Sequence, residues 1–210
     1  TRLPYNSLMY KLKEFDVSYR EIVDGEEVPV LRLKFGPTDY FTQIITDLNM
    51  GNTIRNRYAQ AINVTERPIP QFSTIVGINL TLITSDGYLI IAERSRHSFL
   101  GPNRLNTSMG ENMLRPVDAG PDGAPDPFGC AIRGAQEELG LELEYRDIEF
   151  GAFGVQPETC QYSLLGAQHI HYTRDEVLEL RRFGLPKDKW ENNQLIFIPY
   201  APKTVAEFVV

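Results

Sequence analysis

A mixed α/β (α+β) fold, with strands and helices following one another irregularly around a central sheet, is what three features of this chain predict. Residues 15 to 35 and 75 to 92 each read as two strands joined at an Asp-Gly turn, Asp24-Gly25 and Asp86-Gly87. Residues 127 to 139 carry an apolar period of a helix, closed at both ends by residues suited to capping. Strand-like runs at 148–155, 162–171 and 194–198 are interrupted by a second capped helix from Thr173. Strands, helix, strands and helix in that order fit a helix-flanked mixed sheet.

The first hairpin sets Val17 and Tyr19 on one arm against Leu31, Leu33 and Phe35 on the other. Pro37-Thr38-Asp39 then opens a helix in which Tyr40, Phe41, Ile44, Ile45 and Leu48 recur at helical spacing, an apolar stripe that needs a partner surface. Met50 to Pro70 reads as a connector, so the expected organisation is an N-terminal extension, residues 1–72, and a main domain, residues 73–210. In the main domain Ile75, Val76, Ile78, Leu80, Leu82 and Ile83 form the first arm of the central hairpin, and Tyr88 to Ala92 the second. Thr173 and Glu176 have the spacing of a capping box, and the helix they start should end near Gly184.

With 210 residues, 42% of them hydrophobic, the chain can bury a real core. A net charge of −7 argues against a nucleic-acid polymer as partner, because neutralising a phosphate backbone takes clustered Lys and Arg; a small phosphorylated ligand is compatible with it. No run has the length of a membrane span and no signal peptide is visible, so a cytoplasmic setting is expected. Cys130 and Cys160 lack metal spacing and read as free thiols. The chain starts at Thr1 and stops at Val210 in mid-pattern, which suggests a fragment, with a second copy or further domains as added partners.

The helix from Pro127 is the most informative stretch. Asp126 suits the N-cap, Pro127 the first turn and Gly140 a left-handed C-terminal position. Its period puts Phe128, Ala131, Ile132, Ala135 and Leu139 on a core face and Arg133, Gly134, Glu137 and Glu138 on a charged one. Paired carboxylates on an exposed helix face supply the hard oxygen donors that a divalent cation takes. Taken alone, such a pair is an ordinary solvated face.

The string Arg133-Gly134-Ala135-Gln136-Glu137-Glu138-Leu139-Gly140-Leu141 resembles the signature of the Nudix hydrolases, G-x5-E-x7-R-E-U-x-E-E-x-G-U with U aliphatic. Gly134 stands where the first Glu of the R-E pair belongs. Gly110 is the counterpart of the leading Gly, a Pro/Gly/Asp loop over residues 118–127 lengthens the interval, and Pro125 falls where the upstream Glu would be. The resemblance implies a Nudix-like α/β/α sandwich with a mixed central sheet. It also implies Mg2+ or Mn2+ as cofactor and hydrolysis of a nucleoside diphosphate linked to another moiety. Glu137 and Glu138 would be the catalytic metal ligands and Glu111 the replacement for the missing third carboxylate. Arg133, Gly140 and Gly110 would be structural, with Arg133 pairing to Glu137 one turn on. A different class of function stays open beside it: a Nudix-fold module without turnover that binds or senses a nucleotide-like ligand within a larger protein.

Other candidates have simpler readings. Arg94 and Arg96, with His97 after them, leave the central hairpin where they could bind phosphate, or are plain surface residues. Asp118, Asp122 and Asp126 compete with Glu111 as ligands, but turn and cap chemistry explains each. Tyr162, His169, His171 and Trp190 could line a base pocket, though core or edge packing accounts for them better, and two histidines at alternate positions make a weak metal signal. Residues Asn106–Asn112 also resemble the layout of isopentenyl-diphosphate isomerases, which need a Cys and a His where this chain has Met109 and Glu111; isomerase activity is not expected.

Overall fold

The computed structural model describes residues 6–48, 57, 63–98, 101–183 and 186–209. The chain forms two compact units: residues 1–77 with 112–125 and 154–163, and residues 78–111 with 126–153 and 164–210.

In the first unit, strands β1 (Leu8–Val23) and β2 (Glu26–Asp39) pair antiparallel in a hairpin longer than the sequence pattern suggested, with Phe15 opposite Leu33 and Val17 opposite Leu31. Asp24 and Gly25 both take positive φ, 52° and 87°, the two left-handed positions that a two-residue turn needs to match strand twist. The base of the hairpin holds the core: Met9, Tyr10 and Leu12 are buried, and β1 bonds outward through Leu12 N to Thr74 O at 2.9 Å and Tyr10 N to Met113 O at 3.1 Å. Its tip is exposed, including Ile22 and Val23.

Asp39 caps helix α1 (Tyr40–Gln43) by accepting from the Thr42 amide, and the helix continues as a π-helical turn, Ile44–Leu48. The apolar stripe expected here does not form the buried face. Phe41 and Ile45 are exposed, whereas Gln43 and Asp47 are buried, because Asp47 accepts from the amides of Ser73 (2.9 Å) and Thr74 (3.0 Å) and from the Thr46 hydroxyl (2.7 Å). Those fixed backbone donors select a carboxylate over an isoleucine. Most of the expected connector at 50–70 lies outside the described residues; its end does not behave as a linker, since Val64 and Ile69 join Phe72 and Cys160 in a buried cluster.

A seven-stranded sheet contains β3 (Val76–Ile83), β4 (Tyr88–Arg94), β5 (Leu105–Asn106), β6 (Met109–Asn112), β7 (Glu149–Gln156), β8 (Gln161–His169) and β9 (Asn192–Pro199). Their order is β5-β4-β3-β8-β7, with β6 also on β3 and β9 on β4. It is mixed. Strands β4 and β9 pair antiparallel, while β3 and β8 run the same way, as the bonds Tyr162 N to Ile75 O and Ile170 N to Ile83 O at their two ends require. Buried Ser108 stitches the centre, donating to Ile90 O and accepting from Leu82 N. Three helices complete it: α2 (Pro127–Leu139), α3 (Arg174–Phe183) and α4 (Pro202–Val209), whose Val205 packs on the Ile83, Leu89 and Ile198 cluster. The Thr173–Glu176 box is present, its Glu176 carboxylate accepting from the Thr173 amide at 2.7 Å. Strands β5 and β6 and helix α4 were not anticipated, being too short to show a period; Gly184 lies outside the described residues. No helix among the described residues is long and apolar enough to cross a membrane.

Candidate functional site

Both ends of α2 are fixed as its sequence dictates. Asp126 Oδ1 accepts from the amides of Phe128 and Gly129, and Gly140 closes the helix at φ 75° with its amide on Gln136 O. The assignment of faces needs correction. Gly134 and Glu138 are buried together with Cys130, Ala131, Ala135 and Leu139, so part of the expected charged face is packed inside.

Glu138, 3% exposed, is held at both oxygens: Oε1 accepts from the Gly110 amide of β6 at 3.0 Å and Oε2 from Asn192 Nδ2 of β9 at 2.9 Å. Glu137 Oε2 pairs with Arg133 Nη1 at 2.8 Å, the i, i+4 partnership expected, and its Oε1 lies 3.5 Å from Lys187 Nζ. Arg133 also reaches Glu111 Oε2 at 3.2 Å. A fourth carboxylate, Glu191, belongs to the short 3-10 turn before β9. Burial raises the Glu191 carboxyl, Asp188 and Glu137 adding to the shift and Arg94 opposing it. Burial likewise pushes Glu111 up to about 7, Arg133 pulling against it and Glu191 and Glu137 reinforcing it. Glu138 is pushed up to about 8, first by burial and then by Glu111 and Glu191. Burial and the neighbouring acids together favour the protonated forms of Glu111 and Glu138.

Gly134 has a steric reason to be glycine. A Cβ at that position would collide with Met109 Cε and lie 2.5 Å from Glu111 Cγ. The stem of Glu111 crosses the helix backbone there, bringing a strand carboxylate to the place from which residue 134 would otherwise project one.

The remaining candidates are dispersed. Arg94 bears on Glu191, whereas Arg96 is exposed and bonds its neighbour His97 at 3.1 Å. Asp118 and Asp122 accept from the amides of Leu114 and Ala124, ordinary turn chemistry. Tyr162 is core, its hydroxyl donating to Val64 O at 2.6 Å. His169 meets Tyr200 edge-on, and His171 lies beyond the end of β8, so the two do not share a strand face. Trp190 is 58% exposed rather than packed, its indole N–H bonded to Asp188. Cys130 and Cys160 are buried free thiols. Sequence reasoning missed Asn192, Glu191 and Lys187, which follow no motif and arrive from a segment distant in sequence.

As donors, Glu111, Glu137, Glu138 and Glu191 offer hard oxygens in a partly desolvated setting, the donor type that Mg2+ or Mn2+ takes. Their spacing is not that of a finished coordination shell: among the described residues no three acidic, His or Cys side chains form a group that could hold an ion, and Arg133 stands between Glu111 and Glu137.

No family model matches the chain, and no curated protein does. Solved structures with partial likeness include DR0079 from Deinococcus radiodurans, 18% identical over 64% of this chain and 72% of that one, with a TM-score of 0.44. A MutT/nudix family protein from Enterococcus faecalis is 10% identical over 75% of this chain and 54% of its own, TM-score 0.40. The MutT protein from Methanosarcina mazei Go1 is 14% identical over 64% of this chain and 88% of its own, TM-score 0.40. The chain thus spans about half the length of the Enterococcus faecalis protein.

Proposed function

We propose that this chain binds a phosphorylated, nucleotide-like small molecule at the carboxylate face of α2 and hydrolyses a diphosphate linkage in it, using Mg2+ or Mn2+. The observation that carries the reading is the relocation of Glu111: its stem fills the space over Gly134 and delivers a carboxylate to Arg133 beside Glu137 and Glu138. Glu138, Glu111 and Glu137 would hold the cation. When bound, such an ion neutralises the diphosphate and makes a water molecule more acidic. Arg133 aligns Glu111 with Glu137, while Gly110 and Asn192 fix the plane of Glu138. Arg94 and Arg96 are the proposed phosphate contacts. A cytoplasmic setting and an extension ending near Phe72 belong to the same reading.

A second reading has its own support: both oxygens of Glu138 are bonded internally and no finished metal shell is in place, as suits a module that binds such a ligand without turning it over. Incubating the chain with dinucleotide and nucleotide-sugar diphosphates while titrating Mg2+ separates the two. Product release that depends on Mg2+ and disappears in Glu138→Gln supports hydrolysis. Ligand binding without release, unaltered by that substitution, supports the module.

A further inference from the structure

The long hairpin of the first unit has two outer edges, and only one of them is fit to take another strand. The β2 edge carries Pro29 and Pro37, which cannot donate to a ladder. The β1 edge has no proline. Its base is bonded to Thr74 and Met113, and Phe15 packs against Tyr162 at 5.8 Å, but Val17, Ile22 and Val23 beyond are exposed. A two-stranded ribbon of this length is marginal by itself. The sequence along the β1 edge, Lys13-Glu14-Phe15-Asp16-Val17-Ser18-Tyr19-Arg20-Glu21, complements its own reversal. With a second copy laid antiparallel and the two-fold axis at Val17, Lys13 falls opposite Glu21, Glu14 opposite Arg20 and Val17 opposite itself, each charged pair occurring twice. Moving the axis to Asp16 would set that carboxylate against its own copy, and moving it to Ser18 would set Phe15 opposite Glu21 and Glu14 opposite Ile22.

We propose that β1 is a dimerisation edge, through which two copies of this chain join by antiparallel pairing centred on Val17 into a four-stranded sheet ordered β2-β1-β1-β2. The charge of the chain does not oppose the contact: Lys11 to Glu21 hold three basic and three acidic residues, so the net −7 is not concentrated on this edge. The two register shifts of the hairpin, between Leu12 and Glu14 and between Ser18 and Glu21, flank Val17. Across the axis each falls near the counterpart of the other, so that extra residue meets extra residue.

Sedimentation velocity of the whole chain over a concentration series reads the dimer dissociation constant. Glu14→Arg sets two guanidinium groups together across the axis, and Arg20→Glu sets two carboxylates together. The pairs of these residues with Lys34 and Glu27 are exposed and contribute little, so thermal unfolding of each variant should match that of the unaltered chain. The expected result is a dimer that each change weakens about 10-fold or more, and that returns when the two variants are mixed in equal amounts or combined in one chain. Oxidation of Val17→Cys should give a disulfide-linked dimer, while the buried Cys130 and Cys160 give none. A chain that is monomeric at every concentration overturns the proposal, as does a dimer that neither reversal weakens or that mixing does not restore. Should the charge variants not fold, Val17→Cys carries the test, and a chain that forms no covalent dimer overturns it.

Discussion

Asp47 and Glu138 are both fully packed carboxylates, 0% and 3% exposed, each accepting hydrogen bonds from fixed donors, yet their surroundings set them apart. Asp47 takes two amides and a hydroxyl, and Lys11 supplies a counter-charge; burial pushes it up only to about 6. Glu138 has two donors and faces Glu111 and Glu191, and goes to about 8. Burial is common to the two. What separates a structural acid from a candidate site acid is the company of other acids, which stability alone would not favour and a cation would relieve.

The largest stability loss should come from Asp47→Ala, which strands the buried amides of Ser73 and Thr74. About 3 kcal/mol is expected, measured by urea unfolding. Gly134→Ala should cost about 1 kcal/mol net, since overpacking against Met109 and Glu111 outweighs the gain in helix propensity. Adding Glu111→Ala to it should recover only part of that loss, since Met109 Cε is the nearer obstacle. Glu138→Gln should go the other way above pH 8, stabilising the chain by up to about 1 kcal/mol there, because it removes a buried charge that Glu111 and Glu191 repel. A clear destabilisation there would erase the contrast with Asp47.

The pH profile offers a finer comparison. An acid raised on folding contributes stability that is complete below its unfolded pKa and is lost as pH rises through the folded one. For Asp47 that window closes near pH 6, and for Glu138 near pH 8. Unfolding free energies measured from pH 4 to 9 should therefore fall with rising pH; Asp47→Asn should flatten the lower part of the slope and Glu138→Gln the upper part. Saturating Mg2+ should flatten only the upper part, because the cation takes the place of the protons.

Helix α2 was legible because Asp126, Pro127 and Gly140 each have a local mechanical reason to be where they are, and both Asp-Gly turns were legible for the same cause. The interior of the site was not. Residue spacing sorts polar from apolar, so Glu138 read as exposed, although its partners are a backbone amide 28 positions away and an amide side chain 54 positions away. Gly134 looked like a missing ligand, and its steric explanation came from Glu111 on a four-residue strand with no period of its own. The stripe of Phe41 and Ile45 misled because the donors that draw Asp47 inward belong to residues 73 and 74.

The central claim is that the acids gathered around Glu138 await a divalent ion. Isothermal titration calorimetry of the unaltered chain and of Glu138→Gln with Mn2+ at pH 7.5, in two buffers of different ionisation enthalpy, tests it most directly. The account predicts one ion bound with release of protons, and an affinity lower by about 100-fold in the variant. Equal affinity in the two proteins, or no binding by the unaltered chain, would contradict it.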